Sequence, residues 1–239
     1  MVDEEVVAGD GPCNIERHSA DSFSQKEFEE RYAYKEPVIV TGLSPQRNAE
    51  FRRLLRREEM LQLWGHRQVL LASANTYSYK KVNMTLSDYI NNHVRPQNRD
   101  KRGNETFYLF GDIDREEWAD LLQHYEQPSW QLPGHSGELS FGLAGAGTGV
   151  PFHIHGPGWA EVVYGRKRWF LTEPSEKPDF DPDETTLSWV LNRYPRLSRD
   201  KRPLECILGP GELIYFPNMW WHATLNVETT VFISTFLSP

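Results

Sequence analysis

The sequence predicts a mainly β fold (α+β), in which a sandwich or barrel of short strands follows a mixed helix-and-strand part. Three observations predict it. From Glu138 onward, short extended segments follow one another at 138–144, 150–155, 159–164, 166–173, 204–208, 211–216, 221–227 and 230–237, most of them bounded by Gly or Pro. Before Glu138, apolar residues recur at helical spacing between isolated β-branched runs. With 239 residues, 38% apolar and 13% aromatic, the chain has enough material for a sizeable core and is not disordered. One domain is the simplest count. Residues 1–12 read as an acidic, disordered tail, 13–137 as the helix-and-strand part, and 138–239 as the core strands with a helical insert at 174–203.

In chain order, Ser24-Gln-Lys-Glu27 is a capping box, and Phe28 and Tyr32 follow one turn apart, which predicts a short amphipathic helix. Pro37 to Thr41 reads as a buried strand ended by Gly42. Over 46–64, Phe51, Leu54, Leu55, Leu61 and Trp64 repeat at helical spacing; the run Arg52-Arg53-Leu-Leu-Arg56-Arg57 is a solvated helix face, since Glu58 and Glu59 follow at once. Gln68 to Ser73 is a strand, Thr85-Leu-Ser-Asp88 caps a helix to about Val94, and 95–103 is a polar loop. Thr106 to Phe110 is a strand, and Asp114 to Tyr125 a helix with Trp118, Leu121, Leu122 and Tyr125 on one stripe. The insert holds a helix around Thr185–Arg193.

The chemistry concentrates in two stretches. In Gly149-Val-Pro-Phe-His153-Ile-His155-Gly-Pro-Gly158, the two imidazoles are two residues apart and project to one face of an extended chain. His222, Thr224 and Asn226 share a strand face in the same way, and Trp221, Ala223, Leu225 and Val227 share the other. The polar face lines an interior where a ligand satisfies it; the apolar face packs outward under helices. Three neutral imidazoles, His153, His155 and His222, converging from distant segments make a metal site with open positions. Taken singly, a strand histidine is more often a hydrogen-bonded core or surface residue. Glu161 on the next strand is a further carboxylate, and Trp159, Trp220 and Trp221 flank the motifs as core or pocket-wall residues.

From Gly211, five residues, Pro217, then His222 and Asn226 four apart match the second cupin motif, with Met219 where that motif has Gly. Together with Ser140-Phe-Gly-Leu-Ala-Gly-Ala-Gly, His153, Tyr164-Gly-Arg-Lys-Arg-Trp-Phe-Leu and Trp221-His222, the chain resembles the JmjC (jumonji-C) domain family of iron(II)- and 2-oxoglutarate-dependent oxygenases, from about Cys13 to the C-terminus. The resemblance implies a cupin-type double-stranded β-helix, a double-sheet jelly roll. It implies Fe(II) or another divalent metal (Zn, Mn or Ni) on His153, His155 and His222, and 2-oxoglutarate held by Lys167 with Thr224 and Asn226 nearby. A lysine in Arg-Lys-Arg ordinarily snorkels to solvent; the resemblance turns Lys167 inward. Two positions depart from the family. The metal motif is usually His-X-Asp or His-X-Glu, and His155 stands at the carboxylate; Val150 stands where related hydroxylases carry a carboxylate-binding Thr. Three imidazoles neutralise none of the metal's charge, and that set also suits zinc.

The resemblance therefore implies a protein hydroxylase rather than a histone demethylase, or else an inactive JmjC scaffold that binds and regulates proteins. A His₃ cupin that takes metal without co-substrate is a third reading. The net charge of −8 argues against a general nucleic-acid binder and an anionic membrane surface, and no apolar run approaches a membrane span. Cys13 and Cys206 are either two free core thiols or one disulfide. The even cysteine count, the sequons at Asn83 and Asn104 and the resemblance together favour the lumen of the endoplasmic reticulum, with that disulfide formed and those asparagines as glycan acceptors.

Overall fold

The computed structural model describes residues 11–239 apart from 112, 113 and 115. The expected tail, 1–12, lies outside the described residues except for Gly11 and Pro12. The first elements among the described residues are β1 (Arg17–Ser19) and α1 (Gln25–Glu27), where the Ser24 hydroxyl accepts the Glu27 N–H at 3.1 Å as the capping box requires. The helix continues as a π-turn over Phe28–Tyr32, burying both aromatics. β2 (Val38–Thr41) follows. The predicted helix over 46–64 is two: α2 (Ala49–Leu54) and α3 (Arg57–Trp64), parted at Arg56, whose ψ of 143° is extended. Then come β3 (Gln68–Ser73), β4 (Lys81–Thr85) and α4 (Leu86–Asp88), which runs on as a π-turn over Tyr89–His93. The strand expected over 106–110 shortens to β5 (Phe107–Tyr108), and among the described residues of the stripe 114–125 the helix is α5 (Ala119–Leu122).

The core strands are β6 (Ser136–Ala144), β7 (Gly158–Tyr164) and β8 (Lys167–Thr172). After α6 (Thr186–Asn192), capped by Thr185, they resume as β9 (Leu204–Leu208), β10 (Leu213–Phe216), β11 (Trp221–Asn226) and β12 (Thr230–Ser238). They form the expected jelly roll. One sheet has the order β1-β2-β10-β7-β12-β6, antiparallel except where β1 meets β2; the facing sheet is β11-β8-β9. A small sheet, β4-β3-β5, lies alongside and joins β6 through a bridge between Leu109 and Leu143. Strands β1 and β4 were not legible as strands. The insert helix α6 lays Leu187, Trp189 and Val190 on Phe170, Ala223 and Leu225, the outward face of β8 and β11. No helix among the described residues is long and apolar enough to cross a membrane.

The predicted strand 150–155 is corrected. Its chain runs beside β11 from Gly147 to His153, with the Asn226 N–H on Thr148 O at 2.7 Å and the Thr224 N–H on Val150 O at 2.9 Å. Only His153 makes a full ladder pair, exchanging two backbone bonds with His222 at 3.1 and 3.0 Å. Pro151 has no N–H to continue the ladder, so regular pairing stops there. The approach is close: a Cβ on Gly149 would lie 1.8 Å from the Thr224 carbonyl oxygen. Cys13 and Cys206 are bonded, Cα atoms 4.2 Å apart, tying the entry of the chain to β9.

Candidate metal centre

His222 sits on β11, His153 at the bridge opposite it, and His155 two residues on, so all three rings face the space between the two sheets. Their ring centroids are 4.2 Å (His153–His222), 4.6 Å (His155–His222) and 5.2 Å (His153–His155) apart. One ligand nitrogen from each lies within 4.8 Å of the others. Each ring's Nδ1 meets a backbone carbonyl: His153 on Pro151 O at 2.8 Å, His155 on Gly156 O at 2.8 Å, and His222 on Trp220 O at 2.9 Å. A carbonyl only accepts, so each Nδ1 carries the hydrogen and each neutral ring turns its Nε2 lone pair inward. Burial pushes His153 down to about 3, helped by the neighbouring His155; burial also lowers His155 and, with both other rings, drives His222 well below the usual imidazole range. The Nε2 atoms of His155 and His222 stand 3.1 Å apart with no hydrogen left between them. A shared cation relieves that lone-pair contact, and the backbone bonds supply the outer support that metal-binding imidazoles need. The residues fit a metal.

Lys167, on β8, is 2% exposed and turns inward. Its ammonium donates to Asn226 Oδ1 at 2.9 Å and lies 3.9 Å from the centroid of the Phe232 ring. Asn226 in turn donates to Thr148 Oγ1 at 3.0 Å, and Thr224 Oγ1 accepts the Val150 N–H at 3.3 Å. Burial pushes Lys167 down to about 7. No carboxylate lines this lumen among the described residues.

Aromatic rings fill what remains. Phe110, Phe216, Phe232 and Phe236 line the lumen with Trp169, and the cavity beside the histidines is about 20 Å³. That holds about one water. Phe110 packs on Phe232 at 4.9 Å and on Phe236 at 6.2 Å. The Phe232 ring lies over Gly142, its partner across the β6–β12 ladder, where a Cβ would come within 2.5 Å of it. The plug is thus built into the strand register. 2-Oxoglutarate, a diacid of ten heavy atoms, does not fit this space, whereas a metal ion does.

The other predicted residues separate. Glu161 lies outside the lumen, accepting from Arg47 at 2.9 Å and Tyr125 at 3.0 Å, and is no metal ligand. Trp159 is in the core beside Phe28 and Tyr215, Trp220 packs with the core around Ile15, and Trp221 stands against Phe180. Asn83 is exposed on β4, an edge strand, and Asn104 is half-buried. Sequence reasoning missed Thr148, Ser234 and the phenylalanines. The alternation Phe232, Ser234, Phe236 along β12 is the signal that would have found three of them.

A family model described as a cupin-like domain matches residues 24–236. JmjC domain-containing protein 8 of Rattus norvegicus is 50% identical over 234 residues, covering 98% of this chain and 86% of that protein. The Homo sapiens protein of the same name is 49% identical over 232 residues, covering 97% and 86%. Among solved structures, the Escherichia coli ribosomal oxygenase YcfD in complex with cobalt and 2-oxoglutarate is similar with a TM-score of 0.55 at 18% identity, covering 91% of this chain and 52% of that one. At that identity the likeness is one of fold.

Proposed function

Because the chain belongs to the cupin-like JmjC family, we propose that it is a luminal, metal-holding JmjC protein that works by binding protein partners rather than by 2-oxoglutarate-dependent turnover. The observation that carries this reading is the lumen itself, which offers three inward Nε2 lone pairs and room for little more than the ion they would hold. His153, His155 and His222 would hold the ion, which supplies a Lewis-acid charge that the three neutral rings leave unneutralised. Residence in the endoplasmic reticulum lumen is supported by the Cys13–Cys206 bond and by the exposed sequon at Asn83. Elemental analysis of protein purified without chelator tests the first part: about one metal per chain is expected, and none in a His153→Ala/His222→Ala variant. Metal-loaded protein given iron(II), oxygen and 2-oxoglutarate is expected to form no succinate.

One observation favours a second reading, a protein hydroxylase. Lys167 is a buried cation facing the lumen without a carboxylate partner among the described residues, the charge that a dicarboxylate's distal end would meet. Succinate formation by the wild-type protein would establish that reading and end the first.

A further inference from the structure

On the reverse of the sheet from the histidines lies a larger cavity, of about 460 Å³. Its walls are α3, the π-turn that follows α4, and the strands β6, β7 and β12. Buried Leu55, Met60, Ile90, Leu143 and Val231 form an apolar floor. Its size is that of a small-ligand site.

Three arginines, all exposed, stand on its rim: Arg56, Arg57 and Arg95. Many arginines of this acidic chain are matched to carboxylates, among them Arg17 to Glu212, Arg31 to Glu16, Arg47 to Glu161 and Arg67 to Asp120. These three are not. The Arg56 guanidinium has no hydrogen-bond or ion-pair partner among the described residues. Arg57 reaches only the Asn91 side-chain amide, at 2.5 Å, and Arg95 only the backbone carbonyls of Val94 and Asn91. Glu58 shares the rim and pairs with none of them. An apolar floor under three guanidiniums without counter-ions is complementary to one ligand chemistry, an apolar body ending in an anion.

We propose that this cavity binds an aliphatic carboxylate, with the chain on the Leu55–Val231 floor and the acid between the arginines. The site is separate from the metal and stands whether or not the lumen holds an ion. A small molecule is favoured over a peptide because the floor is one half-open depression with its three arginines clustered on a single rim, rather than an extended groove.

Calorimetric titration of the intact, disulfide-bonded protein with monomeric decanoate, 1-decanol and N-acetyl-Asp-Phe-amide tests it. Saturable decanoate binding is expected, with decanol at least about tenfold weaker, the loss that follows from one missing charged hydrogen bond. An Arg56→Glu/Arg57→Glu/Arg95→Glu variant is expected to weaken decanoate at least about tenfold. Val94→Trp, which fills the rim without touching charge, is expected to block it at unchanged melting temperature. Absence of saturation, equal affinity for decanol, or undiminished binding by the arginine variant overturns the proposal. Displacement of decanoate by lower concentrations of the dipeptide amide would make the occupant a protein segment and overturn it as well.

Discussion

Phe232 decides what the lumen admits. Its ring covers Lys167 and rests on Gly142, so the space a dicarboxylate would need is taken by a side chain of the protein's own strand. Phe232→Ala is expected to cost about 3–5 kcal/mol of stability and to create 2-oxoglutarate binding, read by ligand-observed NMR, where the wild type shows none. His155→Asp alone, though it restores the family's carboxylate, is expected to leave that binding absent. Lys167 carries a separate cost. Its folded pKa, about 7, lies below its unfolded value near 10.5. Above that unfolded value both states are neutral and the group costs nothing. As pH falls through the window to 7 the unfolded chain takes up the proton first, so stability is lost across that interval. Lys167→Met is therefore expected to raise the melting temperature at pH 7 and to flatten its pH dependence between 7 and 10.5. The three histidines were legible because strand geometry puts alternate residues on one face. Phe232 was missed although it alternates with Ser234 and Phe236, because Val231 and Ile233 beside it are apolar too and the strand alone does not say which face meets a ligand. Met219, standing where the cupin motif has Gly, shows a further cost: it sits at φ 60°, a backbone region that glycine occupies without strain.

At the scale of elements, the segment 147–153 matters most, since it brings His153 and His155 to β11. Alternation and flanking glycines predicted a strand there; Pro151 reduces it to one bridge, and neighbouring hydrogen bonds keep it in place. Gly149 is its tightest point. Gly149→Ala puts a methyl group into the Thr224 carbonyl, with a stability loss of at least about 2 kcal/mol expected in denaturant titration, together with reduced metal content. The break of the 46–64 helix at Arg56 was illegible for a different reason. Leu54 and Leu55 keep the helical period through the kink, and only tertiary packing, with Phe51 and Met60 in the same core, fixes where the axis turns. The kink also places Arg56 and Arg57 on the rim of the arginine-rimmed depression.

For the whole molecule, the jelly roll was legible because short strands bounded by Gly and Pro have few other packed solutions. The strand order was not, since pairing across the barrel depends on contacts far apart in sequence. The Cys13–Cys206 bond closes a loop of 193 residues in sequence separation. Chain-entropy reasoning puts its contribution at about 5 kcal/mol, so Cys13→Ser/Cys206→Ser is expected to lower the melting temperature markedly in scanning calorimetry.

The carbonyl anchors on the three Nδ1 atoms have one more consequence. Because each ring is already held by a backbone carbonyl no more than two residues away, the pocket is assembled before any ion arrives. Stripping the ion with a chelator should leave the outline of the protein standing, so far-UV circular dichroism should not change. A partner docking on the outer surface would then be blind to whether the centre is loaded, and loading would tune only what happens inside.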